Sequence, residues 1–309
     1  MAKIDKIEEL QNLLRDDPQN FLARRQLAVL LTDCGFNEEA LKNLLYLSKT
    51  FGDDSGIFYN LGIVYEKLKN FKKAKESYEK AIEIEPDAID AIYNLGLVST
   101  ELCEYETAIK CFEKVISTDN QDSNSYFNLG LVYFKMKDFP KALDYFQKTV
   151  DINDEDIYAH FYIGNILREF GDNDGAKSKF EKVLEISPDY SWAYFNLASI
   201  YYEEQDIGRA LDNLSNTIEL NPVDIEAYKI YVKILTSIGE YSEADEIINQ
   251  AIDNCGEIGD LYYIAGKIAE YSEDFERSRN CMQLALRNSS SLSMPIEKIK
   301  TELSKLPKY

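Results

Sequence analysis

The sequence holds one histidine, His160, and no pair of cysteines spaced as C-x-x-C. That scarcity excludes histidine-rich metal centres and most imidazole-based acid–base catalysis. The five cysteines, Cys34, Cys103, Cys111, Cys255 and Cys281, are odd in number and irregular in spacing. They therefore read as small buried thiols in a reducing compartment, not as a disulfide framework. A phosphate-cradling glycine loop is also lacking. No apolar run approaches the ~18–20 residues that span a bilayer, and Asp5, Glu8 and Glu9 interrupt the segment where a secretion signal is apolar. Basic residues are outnumbered, 34 Lys and Arg against 55 Asp and Glu, for a formal charge of -21. A chain this acidic repels phosphate backbones and anionic lipid heads. These absences predict a cytoplasmic, non-catalytic protein with no cofactor and no metal, binding neither nucleic acid nor a membrane.

What is present is a repeat. Tyr59-Asn60-Leu61-Gly62 returns as Tyr93-Asn94-Leu95-Gly96 and Phe127-Asn128-Leu129-Gly130, then altered as Phe161-Tyr162-Ile163-Gly164 and Phe195-Asn196-Leu197-Ala198, each step 34 residues. Thirteen positions after the leucine stand Ala74, Ala108, Ala142, Ala176 and Ala210, followed by Tyr78, Phe112, Phe146, Phe180 and Leu214. Fainter copies extend the pattern both ways, through Leu27-Ala28 upstream and Ala265-Gly266 downstream. The step predicts eight 34-residue units, 21–54, 55–88, 89–122, 123–156, 157–190, 191–224, 225–258 and 259–292.

Within a unit, apolar residues recur at helical spacing, pause at turn residues such as Lys69-Asn70, and recur again. Each unit is thus expected to be two antiparallel helices. The small column (Ala28, Gly62, Gly96, Gly130, Gly164, Ala198, Gly266) sacrifices helix propensity, which implies close approach to the second helix, against the Ala74-type column. Segments 1–20, with Leu10 and Leu13, and 293–309 are expected to be capping helices, since a soluble solenoid needs polar-faced ends.

This spacing of Leu-Gly-x-x-Tyr, Ala, aromatic and Pro resembles the tetratricopeptide repeat, over nearly the whole chain. The resemblance implies an all-α, right-handed α-solenoid whose first helices line a concave groove. In some relatives a similar asparagine ladder grips peptide backbone, and that role carries over to Asn60, Asn94, Asn128 and Asn196, with Tyr162 interrupting.

Helical periodicity places a second column, Tyr59, Tyr93, Phe127, Phe161 and Phe195, on the same face, joined by Tyr158, Trp192 and Tyr202. As aromatic anchors they are expected to hold ligand side chains. The bland alternatives are that the asparagines bond within the solenoid and that the rings pack on neighbouring repeats. Lys229, Lys233 and Lys267 form a cationic group able to contact an anion, although Glu226 and Glu270 stand at i±3 from two of them. Acid concentrates in units 89–122, 191–224 and 225–258, which favours a neutral or basic protein or peptide partner. The reading is an interaction scaffold or adaptor, monomeric or weakly oligomeric. Its competitor is a structural scaffold that self-assembles through its ends or convex face.

Overall fold

The computed structural model describes residues 2–307, and among these it contains helices and turns but no strand. The chain divides into two compact units, Met1–Ala159 and His160–Tyr309. The first holds α1 (Ala2–Asp16), then the pairs α2 (Phe21–Asp33) with α3 (Asn37–Thr50), α4 (Ser55–Lys67) with α5 (Phe71–Ile84), α6 (Ile89–Glu101) with α7 (Tyr105–Thr118), and α8 (Ser123–Lys135) with α9 (Phe139–Ile152). Helix α10 (Ile157–Glu169) begins there and runs into the second unit, which continues with α11 (Asn173–Ile186). The pairs α12 (Ser191–Glu203) with α13 (Ile207–Leu220), α14 (Ile225–Ile238) with α15 (Tyr241–Cys255), and α16 (Gly259–Tyr271) with α17 (Phe275–Arg287) follow, and α18 (Ile296–Lys305) comes last. Each unit is an α-solenoid: helices pack on their sequence neighbours, within a pair and from one pair to the next.

Local chemistry starts and stops these helices. Asp54, Asp122, Asp138, Asp172, Asp206, Asp224 and Asp274 are N-caps whose carboxylates accept from the backbone N–H three residues on. These seven of the chain's 55 acidic residues thus satisfy helix termini and their dipoles. Asp206 illustrates the cost of protonating such a cap: the Arg209 backbone N–H, then its guanidinium, hold the carboxyl below its usual range. Between the helices of a pair the chain turns through a left-handed residue at one fixed register: Gly35, Lys69, Cys103, Lys137, Gly171, Gln205, Gly239 and Glu273 all have positive φ.

The core is a ladder of complementary volumes. Gly62, Gly96, Gly130 and Gly164 do not face the Ala74-type alanines, as their spacing suggested, but lie under the ring sixteen residues on; Gly266 lies against Met282 and the Ser278 carbonyl. A Cβ on Gly130 would come within 2.6 Å of Phe146, and one on Gly96 or Gly164 within 2.8 Å of Phe112 or Phe180. Where the second helix carries a branched aliphatic residue the first carries a methyl or more: Ala28 faces the register of Leu44, Ala198 that of Leu214, and Val232 that of Ile248, all of them buried. At the N-terminal end, Ile7 and Leu10 are the buried residues of α1, while Leu13, expected to join them, is exposed. At the C-terminal end Ile299 of α18 is buried among Tyr263, Met282, Ala285 and Leu306. Pro295 is the N-cap of α18. His160 is buried. No helix among the described residues is long and apolar enough to cross a membrane, and no cluster of three or more His, Cys, Asp or Glu there is arranged to hold a metal ion.

Candidate functional site

In the Met1–Ala159 unit the first helices of successive pairs carry Tyr59 and Asn60 on α4, Tyr93 and Asn94 on α6, and Phe127 and Asn128 on α8. The two columns are bonded to each other. Asn94 Nδ2 donates to the Tyr59 hydroxyl at 3.4 Å, and Asn128 Nδ2 donates to the Tyr93 hydroxyl at 2.9 Å. The amide nitrogens also reach back along their own helices, Asn60 to the Gly56 carbonyl at 2.7 Å and Asn128 to the Asn124 carbonyl at 2.8 Å.

These bonds orient the carboxamides. Asn128 commits both Nδ2 hydrogens to the solenoid and Asn60 and Asn94 one each; all three leave Oδ1 over as an acceptor. No described residue donates to Oδ1 of Asn60, Asn94 or Asn128. Burial, followed by the nearby Asp90 charge for Tyr59 and the Asp122 charge for Tyr93, pushes both phenols above their usual range, so they stay protonated. Each phenol accepts from an asparagine and keeps its own O–H as a donor. A Tyr–Asn couple thus presents the phenolic O–H as a donor and the asparagine Oδ1 as an acceptor, and Asn94 keeps one further N–H.

The rings do not stand free. Tyr59 packs at 6.0 Å from Tyr78, Tyr93 at 5.7 Å from Phe112, and Phe127 at 5.5 Å from Phe146. They are half-buried on the aromatic column of the second helices, which fixes the hydroxyls in place. The Tyr78 hydroxyl in turn donates to Glu66. Tyr158 is exposed, 54% accessible, and lies 6.5 Å from Phe127.

The His160–Tyr309 unit is built differently at the same registers. Asn196 is not an open rung: it is buried, its Nδ2 donates to the Trp192 carbonyl at 2.8 Å, and its Oδ1 accepts from Arg168 at 3.4 Å. The neighbouring guanidinium and the tight seat of α12 spend its bonding capacity, something spacing alone does not reveal. Phe161 packs on Phe180 and Tyr190, and lies 6.1 Å from Tyr162. Trp192 is 52% exposed and meets Phe195 edge-on at 6.2 Å. Tyr202 lies beneath the Lys233 ammonium at 5.5 Å.

The lysines line a cavity of about 350 Å³ with Val232, Ile264 and Met294. Lys229 pairs with Glu226 and with the buried Asp260, both at 3.1 Å, and Lys267 pairs with Glu270 at 2.6 Å and Glu302 at 3.8 Å. Two of the three cations are therefore neutralised within the fold, leaving Lys233 without a carboxylate partner among the described residues. Asp260 also accepts from the Ser293 N–H at 2.8 Å, which ties the segment before α18 to α16.

One residue escaped the reading of the repeat. Gln26 stands on α2 at the register of Asn60 and is exposed, so the amide column continues one helix pair further. It was hidden because the first pair reads Arg25-Gln26-Leu27-Ala28 and lacks the asparagine-leucine-glycine signature; counting back 34 residues from Asn60 finds it.

The family model described as tetratricopeptide repeat matches residues 56–88 and 123–156, and a second, described as TPR repeat, matches 101–137 and 164–205. Among solved structures, MamA (41-end) from Desulfovibrio magneticus RS-1 is 26% identical, covering 56% of this chain and 97% of its own, with a TM-score of 0.53. YrrB, titled a TPR protein with an unusual peptide-binding site, is 26% identical over 60% of this chain and 96% of its own, with a TM-score of 0.50. The C-terminal part of a TPR repeat-containing protein from Cytophaga hutchinsonii is 18% identical over 74% of this chain and 94% of its own, with a TM-score of 0.63. No curated protein matches the chain.

Proposed function

We propose that this chain, a tetratricopeptide-repeat protein and so a protein-interaction scaffold, binds an extended peptide along the first-helix face of its Met1–Ala159 unit. The observation that carries the reading is the pair of couples Tyr59–Asn94 and Tyr93–Asn128. An extended backbone offers an N–H and a C=O at every residue. A fixed row of Oδ1 acceptors and phenolic donors answers both, while the bonds holding the row are already made before the ligand arrives. The likeness to YrrB, with its peptide-binding site, supports the same class of ligand.

Tyr158 and, in the second unit, Phe161, Tyr162, Trp192, Phe195 and Tyr202 are assigned to ligand side chains, and Lys233, with Lys229 and Lys267 already paired inside the fold, to an anionic group of a partner. The partner is neutral to basic, because acid exceeds base over the chain as a whole, 55 Asp and Glu against 34 Lys and Arg. The protein acts in the cytoplasm as a monomer or a weak oligomer, without catalysis.

The test is affinity capture with the full chain against the Asn94→Ala, Asn128→Ala variant, the two compared at equal thermal stability. Partners retained by the parent and lost by the variant support the ladder. An identical set of partners from both moves the function to another face, and light scattering over a concentration series then separates a partner-binding convex surface from self-assembly.

A further inference from the structure

The amide column of the Met1–Ala159 unit has a companion that the proposed function does not use. Three residues beyond each rung stand Val29, Ile63, Leu97 and Leu131, on the same side of their helices as Gln26, Asn60, Asn94 and Asn128. All four are aliphatic and none is fully buried; Val29 is 40% exposed. At the same register the later helices α14 and α16 carry Lys233 and Lys267, so aliphatic character there is a property of this stretch and not of the repeat.

The face therefore consists of two parallel rows, one polar and one apolar, each repeating once per helix pair. Packed helices stand about 8–10 Å apart, and α6 and α8 are in direct contact. A ligand that satisfies both rows must repeat its own chemistry at that interval. A β-strand returns a side chain to the same face every second residue, an advance of about 6.8 Å, and loses register by the next helix. A polyproline-II chain returns every third residue, with a rise of about 3.1 Å per residue and so about 9.3 Å per turn. It also leaves its N–H and C=O groups unpaired, free for the ladder.

Charge narrows the occupant. Beside Tyr59, a recess of about 210 Å³ is lined by Ser55, Glu85 and Asp90. Neither carboxylate has a lysine or arginine partner among the described residues, although Ser55 donates to Glu85 at 2.6 Å. An acidic recess at the edge of the ladder complements a cationic side chain between the aliphatic ones.

We infer that the occupant is a polyproline-II-like segment with an aliphatic side chain at every third position and lysine or arginine between. Its backbone lies on Gln26, Asn60, Asn94 and Asn128, and its aliphatic side chains lie on Val29, Ile63, Leu97 and Leu131. This inference rests on the peptide-ladder reading above.

Fluorescence anisotropy of the full chain with two labelled peptides of equal composition tests it. One is (Pro-Lys-Leu) repeated four times; the other has its leucines moved to every second position. The period-three peptide is expected to bind about tenfold more tightly. Leu97→Glu, or Gln26→Ala where the glutamate fails to fold, is expected to reduce its binding. Equal binding of the two isomers, or no binding of the period-three peptide at about 1 mM, overturns the spacing. If both peptides bind the Asn94→Ala, Asn128→Ala variant as well as the parent, the ladder reading fails, and the spacing fails with it. If that variant loses both peptides alike while the isomers stay equal, the ladder stands and only the spacing is lost.

Discussion

The hydroxyl of Tyr93, on the first helix of one pair, accepts a 2.9 Å hydrogen bond from the side-chain amide of Asn128, on the first helix of the next. The bond joins two residues 35 apart in sequence, and together with the bond from Asn128 to the Asn124 carbonyl it decides which end of the asparagine is left for a ligand. Tyr93→Phe keeps the ring on Phe112 and removes the acceptor. The expected loss is about 0.5–1.5 kcal/mol of stability, read from urea unfolding, together with weaker peptide binding because the phenolic donor of the couple is lost. Wild-type binding in the phenylalanine variant would remove the couple from the site.

The glycine–ring contacts predict a compensating pair. Gly130→Ala is expected to destabilise by about 1–3 kcal/mol through overpacking on Phe146, against its gain of about 1 kcal/mol in helix propensity. Gly130→Ala combined with Phe146→Leu recreates the Ala198 and Leu214 arrangement found later in the chain. The double variant is expected to be more stable than the alanine variant alone. A double-mutant cycle with no coupling would mean that the ring does not set the glycine.

Left-handed turn residues predict a gain. Lys137 has φ 61°, while Gly35, Gly171 and Gly239 fill the same register elsewhere. An L-residue there bears roughly 1–2 kcal/mol of strain, so Lys137→Gly is expected to raise stability by about 0.5–1 kcal/mol after the extra entropy of the unfolded chain is subtracted. A fall in the urea midpoint would contradict the strain argument.

Asp260 makes the C-terminal end acid-sensitive. Burial, the largest single influence, raises its pKa, but the hydrogen bonds from Ser293 and the charge and hydrogen bond of Lys229 together hold it below 3.8. A depressed folded-state pKa contributes stability that is full above the unfolded value and is lost as pH falls through the folded one. The docking of residues 293–305 is therefore expected to weaken below about pH 3.8, seen as faster amide exchange in α18 than in α14. Asp260→Asn is expected to weaken it at neutral pH by about 1–3 kcal/mol, less than for a fully enclosed pair because Lys229 stays partly in water. Unchanged α18 protection in that variant would assign the docking to Ile299 alone.

How far the residues announce this fold depends on whether a feature is periodic. The helix pairs were readable from Leu61, Gly62, Tyr65, Ala74 and Tyr78 and their copies, because each unit solves the same packing problem with the same residue types. Asn196 shows the limit: it copies Asn60 in sequence, yet Arg168 and the Trp192 carbonyl take both its ends. Gln26 shows the converse, since it copies nothing in its immediate sequence but shares the register of Asn60.

The sequence by itself determined the helices, their pairing and the acid caps, since propensity, periodicity and turn chemistry act over a few residues and repeat every 34. Only the tertiary structure decided which polar atoms remain available. Whether an amide faces a ligand depends on bonds such as Tyr93–Asn128 and Arg168–Asn196, formed between side chains about 30 residues apart once the helices stack. Such bonds depend on distances of a few tenths of an ångström, which residue spacing does not encode.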